Sequence, residues 1–230
     1  MKLQALVWLM LCTSAFAAPP DFVQATYEVQ KSGLQIEIKE SYTRDKDHYK
    51  LSSIWTPLGL LAMLKPEKFI IDSNGLIGKQ GLQPLYFSHR RELEERRNSS
   101  AEFDWEAKKL TLIQHAQRLV VALPDGTQDR LSAMYQFMFL SLQNVTTLDF
   151  QITNGSKLDD YRYAITRHQT LKVPAGEFEV IYLDSQPKPG ETRSELWLAT
   201  QYHNLPCKVV VTEPDGGKFT QVLSKLVIRP

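Results

Sequence analysis

One stretch limits the folds open to this chain: Asp129 to Asn144, DRLSAMYQFMFLSLQN. Leu131, Met134, Tyr135, Met138 and Leu142 recur at helical spacing, which predicts one long helix over about residues 129–143. Phe137, Phe139 and Leu140 carry the apolar character beyond a single stripe. A helix apolar over most of its circumference must be buried on several sides. The rest of the chain therefore has to surround it.

Strands are what the rest supplies. FVQATYEVQ and LQIEIKESY alternate apolar and polar residues on either side of Ser32-Gly33, the pattern of a hairpin. HYKLSSIW, LYFSHRREL and LTLIQHAQRLVVAL read as further strands, while EKFIID is followed by the turn signal SNG and by LIGKQGLQP, which is rich in glycine and irregular. In AEFDWEAKKL, Phe103 and Trp105 share one face and Glu102, Asp104 and Glu106 the other, a period of two. Pro124-Asp125-Gly126 is a turn, and Asp129 is placed to cap the helix that follows. Beyond it come TTLDFQIT, DDYRYAITRHQTL, EFEVIYLDS, RSELWLAT, LPCKVVVTE and KFTQVLSKLVI, separated by NGS, PAG, QPKPGET and DGG. Many strands with closely spaced turns, and no linker or repeat, indicate a single barrel or sandwich. The expected fold is mainly β: an antiparallel barrel, open or closed, of many strands wrapped round the long apolar helix. The crowded segment Leu58–Leu64, between Pro57 and Pro66, is expected to cover or plug an opening.

The start, MKLQALVWLMLCTSAFAAPP, has a lysine, a short apolar run and Ala15-Phe16-Ala17, the pattern of a secretory leader. Cleavage after Ala17 is expected, which leaves a single β-rich domain over 18–230. The apolar run is shorter than the roughly 20 residues that span a bilayer, so no transmembrane segment is expected after processing. Leu11 fits a lipid-attachment site at Cys12 poorly. Loss of Lys2 balances 26 basic against 26 acidic residues. Without a basic excess or stripe, nucleic acid is not an expected partner. Only Cys207 remains, so the domain can form no internal disulfide and must depend on its core. In LPCKVVV that thiol reads as a small packing residue.

Chemical motifs are scarce. There is no Gly-rich phosphate loop, no H-E-x-x-H and no G-x-S-x-G, and His48, His89, His115, His168 and His203 are scattered singly. No metal or cofactor is expected. Glu94-Glu95 and Asp159-Asp160 lie in polar surroundings that favour solvation, and the charges of HRRELEERRNSS read as a solvated loop. Asp129 and Ser132 with a histidine would supply the types of a hydrolytic triad, but geometry defines such a triad, and both residues have a simpler role at a helix start. Asn98, Asn144 and Asn154 stand in sequons that matter only in a glycosylating pathway. The aromatic and methionine content is the remaining signal. A sheet curved round a Met-rich helix can enclose an apolar cavity. Its candidate lining is Trp55, Leu60, Met63, Met134, Tyr135 and Met138.

Several blocks resemble a known family. They are Gly81-Leu82-Gln83-Pro84 with Phe87 and Arg90-Arg91, then Gln128 to Phe137, then Val173-Pro174-Ala175-Gly176-Glu177-Phe178-Glu179. Leu196-Trp197-Leu198-Ala199, Leu205-Pro206 and Gln221-Val222-Leu223 complete the pattern. In this order they are similar to the bacterial exported domain-of-unknown-function 3108 family. The resemblance implies a periplasmic, mostly antiparallel β domain, and it carries no catalytic residues. Pro84, Arg91, Gln128, Asp129, Ser132, Gly176, Trp197 and Pro206 are its expected structural determinants. The leading expectation is a non-enzymatic periplasmic binding or carrier protein for a lipid, an acylated protein or another apolar envelope ligand. The rivals are an envelope assembly protein acting through a partner protein, and a hydrolase of envelope polysaccharide.

Overall fold

The computed structural model describes residues 18–31, 34–64, 66–115 and 117–230. The expected leader 1–17, with Cys12, and the expected Ser32-Gly33 turn lie outside the described residues. The strands are β1 (Phe22–Lys31), β2 (Leu34–Asp45), β3 (His48–Pro57), β4 (Phe69–Gly78), β5 (Gly81–Arg91), β6 (Ser99–Asp104), β7 (Lys109–Gln114), β8 (Gln117–Ala122) and β9 (Gln128–Asp129). They continue as β10 (Thr147–Thr153), β11 (Leu158–Val173), β12 (Gly176–Asp184), β13 (Arg193–Ala199), β14 (Leu205–Thr212) and β15 (Lys218–Arg229). A short helix α1 (Gly59–Leu64) follows β3, and a second, α2 (Ser132–Gln136), follows β9.

All fifteen strands belong to one sheet. β1 to β8 step outward from the centre in sequence order, β15 back to β9 step outward the other way, and β1 pairs with β15 where the halves meet. Every pairing is antiparallel except β9 with β10. This order puts β8 and β9 at opposite edges, although only residues 123–127 separate them in sequence. Laid flat, fifteen strands at ~4.8 Å spacing would set the edges about 65 Å apart. The connecting residues reach at most about 20 Å. The sheet must therefore curl through most of a turn.

It curls without closing. Among the described residues β8 pairs only with β7 and β9 only with β10. The β9–β10 end instead tucks inside the β4–β7 part. The turn between β10 and β11 lies against β6 and β7: Ser99 Oγ donates to the Asn154 carbonyl at 2.8 Å, and the Ile113 N–H donates to the Gly155 carbonyl at 3.2 Å. A Cβ at Gly155 would stand 2.9 Å from both Ser100 N and Ser99 Oγ, and φ there is +87°, so the overlap needs glycine.

The long helix expected over 129–143 is not formed. α2 spans five residues, Phe137–Phe139 tightens into a 3-10 turn and Leu140 is extended. The Leu140 N–H turns back to the Phe137 carbonyl at 3.3 Å, the shorter-range 3-10 bond. Asn204, at the start of β14, donates its side-chain amide towards the Phe137 and Leu140 carbonyls at 3.4 and 3.2 Å. Carbonyls that a continuing helix would use are thus taken by a neighbouring strand. The burial that the apolar pattern demands is present all the same. Leu131, Tyr135 and Met138 enter a core built with β1–β7, Ala133, Phe137 and Leu142 enter a second core with β10–β14, and Met134 packs against both. A third cluster, around Tyr27, Val180, Cys207 and Leu223, seals the sheet near the β1–β15 pairing.

Candidate ligand cavity

The segment that follows β8 enters the curl and is fixed there by polar bonds. Gln128 Nε2 donates to the Leu82 carbonyl at 2.8 Å. The Gln136 amide accepts from the Leu82 N–H and donates to the Gln80 carbonyl, both at 2.7 Å, which binds α2 to the β4–β5 turn. Gly81 has φ +100°, and a Cβ there would stand 2.8 Å from the Phe139 Cβ, so glycine is required at this contact too. Asp129 is fully buried. Its Oδ1 accepts from the Leu131 and Ser132 N–H groups at 2.9 and 2.8 Å, and its Oδ2 from Ser73 Oγ at 2.5 Å. The Asp129 N–H in turn donates to Ser132 Oγ at 3.0 Å, which ties the end of β9 to the first residue of α2, whose N-cap position is Leu131. Tyr49 extends the chain of bonds to Ser73 at 3.1 Å. Burial pushes the Asp129 carboxyl up, and the bonds from Ser73, Ser132 and Leu131 oppose that shift. Asp129 and Ser132 line neither of the two principal cavities, and no histidine does, so the triad types of the sequence do not meet around a shared space.

One residue further on, the surroundings change. A cavity of about 290 Å³ lies between the inner face of the sheet and α2. Trp55 of β3, Met134 of α2, Tyr163 of β11 and Phe219 of β15 form its apolar wall. Trp55 stacks on Phe219 with ring centres 5.4 Å apart, and its Nε1 donates to Ser53 Oγ at 3.0 Å. Glu40 and Arg130 bring charge into this space. Glu40 occupies the inward row of β2 between Ile38 and Tyr42, and it pairs in register with Ser53. Ser53 Oγ and Tyr135 Oη each donate to its carboxylate at 3.1 Å. Burial raises its pKa to about 7, against the lowering effect of those two bonds and of Arg130. Burial by the surrounding protein lowers the Arg130 pKa, yet its surface is exposed and lines the cavity.

A second space of about 1520 Å³ is an open groove between the β4–β5 turn and the 185–191 loop. Its charged residues, such as Lys79, Asp149, Arg162 and Lys188, are all exposed. The smaller cavity is walled by aromatic rings from both halves of the sheet and carries the charged residues Glu40, Arg130, Lys157 and Asp159 among its lining.

Of the candidate lining read from the sequence, Trp55 and Met134 border this cavity. Tyr135 is buried behind Glu40, and Met138 is in the core. Leu60 and Met63 stand on the outside of α1, 77% and 80% exposed. The family-type residues Gln128, Asp129 and Ser132 hold the inner segment. The Pro84 carbonyl accepts from Trp105 Nε1 at 2.6 Å, and the Pro206 carbonyl accepts from Tyr27 Oη at 3.0 Å. Arg91 covers the Phe69 ring and pairs with Glu94 at 2.9 Å, Lys208 covers the Trp197 ring, and Gly176 opens β12 at φ +143°. Cys207 is buried with its thiol pushed up to about 12 by burial, a packing residue and not a nucleophile. Among the described residues no group of three or more His, Cys, Asp or Glu could hold a metal ion, and no helix is long and apolar enough to cross a membrane.

Sequence reasoning missed Glu40 and Arg130. The signal for Glu40 was present: in LQIEIKESY it falls in the phase of Leu34, Ile36, Ile38 and Tyr42. A carboxylate in the apolar phase of a strand is a buried polar group that needs a partner. Arg130 gave no such sign, because helical periodicity did not indicate which residue would face a cavity.

The model of the family described as "Protein of unknown function (DUF3108)" matches residues 24–224, and the chain belongs to that family. Among curated proteins none matches it. It is similar to a beta-barrel-like protein of domain of unknown function DUF1849 from Brucella abortus, at 11% identity and a TM-score of 0.59, over 92% of this chain and 99% of that one. That likeness supports the fold alone. An N-terminal dehydratase from a difficidin assembly line aligns over 92% of this chain and 78% of its own, at 6% identity and a TM-score of 0.17, too low to carry an argument.

Proposed function

We propose that this family member is a non-enzymatic periplasmic binding or carrier protein for an apolar envelope ligand, a lipid or an acylated protein. The observation that carries the reading is the aromatic- and methionine-walled cavity between the sheet and α2. Its volume of about 290 Å³ is at the small end of the ~300–1,000 Å³ of small-molecule sites, which favours one acyl chain over a two-chained lipid. Native mass spectrometry of protein taken from its own periplasm is expected to show a co-purifying single-chain species. Protein that is repeatedly empty, and that leaves tryptophan fluorescence unchanged on titration with apolar probes in a variant keeping Trp55 but with Trp105 and Trp197 replaced by Phe, would overturn the reading.

A second reading, docking to an envelope partner protein, is supported by a separate surface. β8 is an edge strand with Leu119 and Val120 58% and 56% exposed, and an unpaired strand edge can accept a strand from another chain. The exposed apolar residues of α1 add a second patch. Crosslinking in cells from a probe placed at residue 119 is expected to recover one specific partner if this reading holds, and scattered products would remove its support.

A further inference from the structure

We infer that the ligand of the interior cavity is a single-chain anionic amphiphile whose acidic group seats on the Arg130 guanidinium. The inference rests on the cavity-binding reading above and adds the charge of the ligand. Arg130 is held in place by its backbone: its N–H donates to the Thr153 carbonyl at 2.9 Å, between the buried residues Asp129 and Leu131. Its side chain is committed to the cavity wall. A guanidinium presents five donors, and those of Arg130 that face the cavity are free to bond a ligand.

The other charged groups in that wall are accounted for. Lys157 and Asp159 pair with each other at 2.7 Å. Glu40 is bonded to Ser53 and Tyr135, and among the described residues it makes no ion pair with Arg130. Arg130 is thus the cavity charge to which no side chain of the described residues is bonded. Its planar fork matches a carboxylate or a phosphate with two parallel hydrogen bonds. In the same cavity wall, Trp55, Met134, Tyr163 and Phe219 offer apolar surface to a chain. Polar end and apolar wall together describe an amphiphile, and the volume limits it to one chain.

The test is calorimetric titration of the purified protein with decanoate, decyl phosphate, decanol and decyltrimethylammonium, each below its micelle concentration. Both acids are expected to bind at least about tenfold more tightly than decanol, as charge-assisted pairing implies, and the cation most weakly. The two acids distinguish a carboxylate from a phosphate headgroup. Arg130→Gln is expected to bring the acids to the decanol level while decanol itself is unchanged. Equal binding of acids and alcohol by the wild-type protein, or an acid preference that survives in a folded Arg130→Gln, overturns the inference and leaves the cavity reading standing. If none of the four probes binds, the cavity reading itself falls. Should Arg130→Gln fail to fold, the wild-type comparison of acid with alcohol decides alone.

Discussion

Asp129 and Arg130 are neighbours in sequence and opposites in their surroundings. The Asp129 carboxylate receives Ser73 Oγ and two backbone N–H groups, and Tyr49 and Ser132 complete the set, all of them buried. Arg130 faces an open space, and none of the described residues bonds to its guanidinium. A buried polar group that is fully bonded stabilises one packing, because every alternative leaves some of its partners unpaired. A polar group directed at a void contributes nothing of that kind and has capacity left for a ligand. The difference separates what holds the inner segment in place from what the segment presents.

The largest expected effect tests the first half of that contrast. Asp129→Ala leaves buried donors unpaired and is expected to cost about 3 kcal/mol or more in urea unfolding. A loss under about 1 kcal/mol would show that water or a shifted backbone replaces the carboxylate. Next comes Glu40, which lies between the two regions. Its folded pKa of about 7 is above the ordinary 4.5, so the folded protein keeps a proton that the unfolded chain releases. Stability from this group is full below pH 4.5 and falls as pH rises through about 7. His89 acts oppositely: burial, then Arg130 and Arg91, lower it to about 4 from 6.5, so its contribution is present above 6.5 and lost as pH falls towards 4. The two windows overlap and mask each other in the native chain. Glu40→Gln is expected to raise stability at pH 8 by about 1–3 kcal/mol, to do little at pH 4, and to leave the acid sensitivity of His89 visible. Unfolding curves at these two pH values that show no change in the variant would place Glu40 in ordinary solvated surroundings.

Arg130→Met should do the reverse of Asp129→Ala. Removing an unbonded cation that faces the cavity is expected to leave stability unchanged or raise it by about 1 kcal/mol. A loss as large as that of Asp129→Ala would mean that Arg130 is a packing residue too, and the contrast would collapse. The smallest effect belongs to the exposed helix α1. Leu60→Ser is expected to change stability by less than about 0.5 kcal/mol, with no change in decanoate binding. Weaker binding in that variant would draw α1 into the cavity entrance and restore the covering role expected of Leu58–Leu64.

How much of this was legible differs from element to element. Most strands were read, because alternation is local and half-buried strands enforce it over every pair of residues, but SNG, which reads as a turn, lies inside β4, and LTLIQHAQRLVVAL, which reads as one run, is β7 and β8. The short closing turns were read for the same reason, since Gly126, Gly155 and Gly176 adopt positive φ. The helix over 129–143 was misread in length and not in burial. Helical spacing of apolar residues is also satisfied by one turn of helix, a 3-10 turn and extended chain when cores lie on both sides of them. Asp129 was read as a cap, and it does bond the helix start, although its Ser73 partner lies on β4 and was out of reach of any local pattern.

The sequence alone determined the β class, the placement of most strands and the need for an apolar segment to be surrounded, because each follows from side-chain periodicity and turn chemistry within a few residues. Only the tertiary structure decided that the sheet curls past itself without closing, that the inner helix stops after α2, and that Glu40 and Arg130 share one cavity. Those outcomes depend on bonds between residues far apart in the chain, such as Asn204 with Leu140 and Gly155 with Ile113. No periodicity encodes such pairs. They are chosen by which arrangement leaves the fewest buried polar groups unpaired once all fifteen strands are in place.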